Sequence, residues 1–185
     1  MPTQVAIVGA GAAGAGAAYA LGDADAEVTV FEKSRGVCGR AATRRQDGCR
    51  YDHGANYVKA DDERVVDLLT EELDTDGLVD IDEPVWVFDG AGTIAAGRDG
   101  DTHKWTYEAG ITQLAKRLLG ASEATVENGV RVSEPVREDG GWRLYDTDHR
   151  DRGRFDAVLF TPPAPQTADL LGCANWEHGL CRELR

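Results

Sequence analysis

Val5-Ala6-Ile7-Val8-Gly9-Ala10-Gly11-Ala12-Ala13-Gly14 sets the reading of this chain. Four apolar residues running into a glycine predict a buried parallel strand. The glycines that follow have G-x-G-x-x-G spacing. Small residues then continue to about position 21, which predicts a helix over 12–21 able to pack closely on the sheet. A second strand is predicted at 27–32, Glu27-Val28-Thr29-Val30-Phe31-Glu32. Strand, helix and strand within about 30 residues make a βαβ unit. In that context the glycines have separate tasks. Gly9 permits a tight turn, Gly11 admits a pyrophosphate against bare backbone, and Gly14 lets the helix approach the strand. With Ala12 at its start, the helix then offers unpaired N–H groups and a positive dipole end to phosphates. Glu32 closes the second strand, where a carboxylate accepts hydrogen bonds from ribose hydroxyls and repels a 2′-phosphate. Lys33 follows at the ribose end. Arg40, in the glycine- and arginine-rich stretch at 34–54, is a planar bidentate donor for the phosphates.

Composition bounds the rest. The 185 residues are enough for a real core, and 42% are hydrophobic. The chain holds 20 basic and 33 acidic residues, a net charge of −13. That surface repels nucleic acid and anionic membranes, so neither is an expected partner. The first residues lack a basic n-region, and the expected location is cytoplasmic. Lysine is confined to Lys33, Lys59, Lys104 and Lys116. An acidic, lysine-poor surface fits a protein of very salty surroundings, where screening suppresses self-repulsion. Indifference of the fold to salt would count against that habitat. Cys38, Cys49, Cys173 and Cys181 lack zinc-ligand spacing and read as reduced thiols. The acids at Asp61, Asp62, Glu63, Asp74, Asp76, Asp80, Asp82 and Glu83 lack the order of a calcium loop. No metal is expected. His103, His149 and His178 read as surface residues.

Further elements follow from pattern. Residues 63–73 predict an amphipathic helix with Val65, Val66, Leu68, Leu69 and Leu73 inward. Residues 79–94 are strand-like, with Trp86-Val87-Phe88 as a core strand, and 98–102 form a polar turn. A helix is predicted at 111–119. Residues 124–136 predict strand broken at Asn128-Gly129, the dipeptide most typical of hairpins. Strands follow at 142–145 and 155–160, then helices at 166–171 and from 176 onward.

Four segments resemble one family, the renalase-like branch of FAD-dependent amine oxidases. They are residues 32–45 (EKSRGVCGRAATRR), 51–57 (YDHGANY), 110–115 (GITQLA), and 155–158 with 163–166 and Leu170-Leu171. Cys38 stands where that family has the first glycine of G-G-R. The resemblance implies an α/β fold, in which a Rossmann-like FAD-binding domain (1–58 and 106–172) is interrupted by a smaller β-rich substrate domain. The first excursion is expected at 59–105, and a second begins at 173–185. It implies FAD as cofactor, with Gly54, Ala55 and Asn56 near the flavin ring and Val132 offering backbone to the adenine. The implied activity is hydride transfer from a small substrate, an amine or a reduced nicotinamide, with oxygen as acceptor. No side chain is assigned as a catalytic acid or base. Members of the family continue into a late segment that completes the flavin site, so the expectation is that the C-terminal part is missing here. An inactive fragment and an NAD-binding module are the alternatives.

Overall fold

The structure is a computed structural model, and it describes residues 1–59, 61–81, 86–97, 103–138, 140–174 and 183–184. The predicted turn at 98–102, the helix from 176, His178, Cys181, Asp82 and Glu83 lie outside the described residues.

The opening unit forms as its pattern dictates: β1 (Thr3–Val8), α1 (Ala12–Ala20) and β2 (Ala26–Glu32). After a 3₁₀ turn at Gly39–Ala41 come β3 (Thr43–Gln46), β4 (Cys49–Asp52) and β5 (Val58–Lys59). Next are α2 (Glu63–Asp67), β6 (Leu78–Asp80), β7 (Trp86–Phe88), β8 (Ile94–Ala96) and β9 (Lys104–Tyr107). The chain then forms α3 (Thr112–Gly120), β10 (Thr125–Asn128), β11 (Val132–Glu138), β12 (Gly141–Asp146), β13 (Asp151–Phe155), β14 (Ala157–Phe160) and α4 (Ala164–Cys173).

The central sheet is parallel throughout, in the order β10-β2-β1-β14. Its two middle strands are apolar on both faces because both faces are covered. Val5, Ile7, Val28 and Val30 pack with Ala18 under the helical side, where α1 lies beside α3. Ala6, Val8 and Phe31 point the other way, onto Leu144 and Phe155 of the antiparallel meander β11-β12-β13. The result is three layers: helices, parallel sheet, meander. Residues 58–107 carry a separate antiparallel sheet, β5-β9-β6, and the β7–β8 hairpin.

Several expectations change. The 34–54 stretch is not all loop, since β3 and β4 pair as a hairpin. Asp47 and Gly48 both have positive φ, 51° and 77°, as a tight two-residue turn requires. Asn128-Gly129 makes no hairpin. β10 belongs to the parallel sheet and β11 to the meander, so the glycine, at φ 75°, carries the chain from one layer to the other. The single strand at 155–160 is two, β13 and β14, because the chain changes sheets at Asp156. The helix at 63–73 is α2 followed by a π-helical turn at Leu68–Glu72, with Leu69 and Leu73 buried. Trp86-Val87-Phe88 is a strand but not core: Trp86 is 65% and Phe88 81% exposed.

One buried carboxylate locks the meander to the sheet. Asp146 is 3% exposed. Its Oδ1 accepts the N–H groups of Asp148 (2.8 Å) and Arg150 (3.0 Å). Its Oδ2 accepts Arg152 Nε (2.9 Å) and Nη2 (2.5 Å), and Arg152 Nη1 reaches Glu127 of β10 at 3.3 Å. The Arg150 N–H, with help from the Arg152 guanidinium, holds the Asp146 carboxyl below its ordinary value. A depressed folded-state pKa contributes stability that is complete above the ordinary carboxylate range and is lost as pH falls through the folded value. Asp146→Asn therefore lowers the melting temperature at neutral pH, and its deficit against wild type shrinks on acidification. Thermal melts of both proteins across the acid range check this.

Candidate functional site

The glycine turn leaves no room for a side chain at Gly9 or Gly14. Gly9 has φ 101°, and a Cβ there would sit 2.7 Å from Thr161 Oγ1. At Gly14 a Cβ would lie 1.9 Å from the Gly9 carbonyl oxygen, so α1 rests directly on the turn. Thr161, just past β14, is within hydrogen-bond distance of the Val8 and Gly9 carbonyls through Oγ1, at 2.9 and 3.0 Å. Nothing in the sequence marked this threonine, because its role arises only when β14 pairs with β1. Gly11 differs from the other two glycines: a Cβ there meets no atom within 4 Å. It is the N-cap of α1, no side chain caps that end, and Ala12 opens the helix. Open space thus coincides at Gly11 with a helix N-terminus that no side chain caps.

Glu32 is 5% exposed. Its Oε2 accepts the Ala10 N–H and its Oε1 the Ser34 N–H, each at 2.8 Å. The carboxylate therefore ties the turn to the segment after β2 and keeps further lone pairs for a ligand. Lys33, beside it, is exposed. The same end meets the 129–132 segment, where Gly129 N–H donates to Ser34 O (3.1 Å) and Val130 N–H to Glu32 O (2.9 Å). Val132 begins β11 as a buried core residue.

Arg40 is brought to the turn by the two residues before it. Cys38 N–H donates to Ala10 O at 2.8 Å, and Gly11 and Cys38 form a parallel bridge. Gly39 lies against Gly11, the Cβ position of Gly39 being 3.4 Å from the Gly11 Cα. Cys38 has φ 79°, the left-handed region that a glycine would adopt without strain. Its side chain is nevertheless buried, with Sγ 3.8 Å from Ile111 O, and burial pushes the thiol pKa up. Cys38, Cys49 and Cys173 are all free.

Gly54 completes the arrangement, since a Cβ there would be 2.2 Å from Arg40 O. Ala55 and Asn56 follow, both exposed. Asn56 also lines a cavity of about 320 Å³, together with Thr43, Arg50, Asp52, Thr106 and Tyr107. The loop at Gly110 is fixed beside it. Ile111 N–H donates to Asp52 Oδ2 at 3.1 Å, and Thr43 and Thr112 exchange backbone-to-hydroxyl bonds at 2.7 and 3.1 Å. The glycine turn, Glu32, the Arg40 turn and Gly54 are thus linked by direct backbone approach.

Residues 7–71 match the family described as the NAD(P)-binding Rossmann-like domain. Among solved structures, a CLA-producing fatty acid isomerase from P. acnes aligns with a TM-score of 0.68 at 17% identity, over 91% of this chain and 60% of that one. A provisionally named protoporphyrinogen oxidase from Exiguobacterium sp. 255-15 aligns at 0.70 and 18%, over 93% and 62%. A putrescine oxidase, studied for redesign of its cofactor binding, aligns at 0.70 and 15%, over 92% and 60%. The chain shares the fold of these enzymes. It spans about three fifths of the length of each. Among the described residues, no helix is long and apolar enough to cross a membrane.

Proposed function

We propose that this chain carries the nucleotide end of an FAD-dependent oxidoreductase, of the renalase-like or amine-oxidase kind. The observation that carries the reading is the Gly39-Arg40 turn laid against Gly11. It puts a guanidinium-bearing loop beside an open, uncapped helix N-terminus. Arg40 and Lys33 have no carboxylate within ion-pair distance among the described residues, although the chain is strongly acidic. These residues fit a dinucleotide. Gly9, Gly11, Ala12 and Gly14 would receive the pyrophosphate with Arg40. Glu32 and Lys33 would take the ribose, and the backbone near Val132 the adenine. Gly54, Ala55 and Asn56 would lie toward the flavin ring. When bound, FAD supplies a two-electron acceptor for a small amine or reduced nicotinamide, with oxygen taking the electrons onward. The protein binds and orients: the helix end and Arg40 neutralise phosphate charge, and Glu32 selects a ribose without a 2′-phosphate.

FAD titration, followed by visible absorbance and flavin fluorescence, tests this reading. Wild type should bind FAD in preference to NAD⁺. Arg40→Gln should weaken FAD about ten- to hundredfold, the worth of a charge-assisted hydrogen bond, with little change in melting temperature. A folded protein that ignores FAD would sink the proposal. Binding of NAD⁺ alone, indifferent to Arg40→Gln, would favour an NAD-binding module.

A further inference from the structure

Six of the 20 bases, Lys33, Arg35, Arg40, Arg44, Arg45 and Arg50, fall between positions 33 and 50, where only one of the 33 acids, Asp47, is found. Elsewhere Arg64, Arg117, Arg143, Arg150 and Arg152 each reach a carboxylate. None of these six does so among the described residues. Lys33 and Arg40 belong to the nucleotide end. Arg45 and Arg50 do not. They stand directly opposite each other in the β3–β4 register, so both side chains leave the same face of the hairpin. Two like charges in that position repel each other. Among the described residues, the one side-chain hydrogen bond that either makes is from Arg50 Nη1 to the Glu108 backbone carbonyl, at 3.3 Å. Thr43 and Asp52, the next opposed pair on the same face of the hairpin, line the 320 Å³ cavity with Arg50.

We propose that Arg50, which lines this cavity, and Arg45, its register partner beside it, form an oxyanion site holding the carboxylate or phosphate group of a small molecule whose remainder occupies the cavity. An oxyanion between the two guanidiniums replaces repulsion with bidentate, charge-assisted hydrogen bonds. A volume of about 320 Å³ lies in the range of small-molecule pockets. Asp52 and Glu108 also line the wall. They disfavour a second anionic group, so the ligand carries its charge at one end. The site goes beyond the cofactor reading and does not rest on it.

The test uses the 185-residue chain without flavin, melted in chloride and then with chloride replaced by inorganic phosphate or by acetate at constant ionic strength. Wild type should gain melting temperature with at least one of the two anions, and the anion giving the larger gain tells a phosphate-bearing ligand from a carboxylate-bearing one. Arg45→Gln and Arg50→Gln should each weaken the apparent anion affinity about tenfold or more. Arg44→Gln, on the other face of the hairpin, should leave it unchanged. In chloride alone, Arg45→Gln should hold or raise the melting temperature, because it relieves the repulsion. No gain with either anion would overturn the proposal. So would a gain surviving undiminished in Arg45→Gln and Arg50→Gln, which places the anion at the glycine turn, or an equal loss in Arg44→Gln.

Discussion

Gly14→Ala is expected to destabilise the chain by about 2–3 kcal/mol, although alanine is the better helix former. The new methyl carbon would lie 1.9 Å from the Gly9 carbonyl oxygen and 3.2 Å from Thr161 Oγ1. The nearer obstacle is backbone, so no side-chain rotation relieves it. Relief requires α1 to lift from the turn, which opens the layer where Ala15 and Ala18 are buried and separates the helix from the strand. The loss is a large part of a total stability of about 5–15 kcal/mol. Gly11→Ala supplies the contrast. Its methyl group meets no protein atom, so stability should stay within about 0.5 kcal/mol of wild type. It would instead fill the space proposed for the pyrophosphate, and FAD affinity should fall at least about tenfold. Urea midpoints and FAD titrations on the two variants separate the effects. Equal midpoints for Gly14→Ala and wild type would mean that the helix can retreat freely.

Gly54→Ala is expected to damage both fold and cofactor end. A methyl group there would be 2.2 Å from Arg40 O and 3.4 Å from its carbonyl carbon. Either the 3₁₀ turn at Gly39–Ala41 or the segment after β4 must yield, at a cost of about 1–3 kcal/mol. Both movements take Arg40 away from Gly11. FAD affinity should therefore fall about as far as in Arg40→Gln. The double variant should bind FAD no worse than the poorer single one, because both remove the same contact. Full additivity in that cycle would show that Gly54 acts on the ligand independently of Arg40.

Legibility of the fold followed the range of the interactions. β1, α1 and β2 were plain in the sequence because strand burial, turn and helix packing are all signalled within thirty residues. The Asp47-Gly48 signal was also present. The strands beside it, Thr43–Gln46 and Cys49–Asp52, are polar on both faces, so no apolar alternation drew attention to the hairpin. Trp86–Phe88 misled in the opposite direction. Its composition fits a core strand, but its described partner, β8, is as exposed as itself. Asn128-Gly129 has hairpin chemistry, yet the strands it joins pair elsewhere, β10 with β2 and β11 with β12.

The dinucleotide turn was legible from residue order alone, because glycines at 9, 11 and 14 between an apolar strand and a helix have a local steric meaning. Residue order also marked Glu32 as the carboxylate closing the second strand. What surrounds them came from the folding of the whole chain. It put Thr161 on the turn, gave Cys38 a left-handed backbone beside Gly11, wedged Gly54 against Arg40, and faced Arg45 with Arg50, which lines a cavity. Thr161 is 152 residues from the Gly9 carbonyl it meets and Cys38 is 73 from the Ile111 carbonyl, and which distant segments meet is settled by how the sheet and its layers close, not by any pattern within one segment.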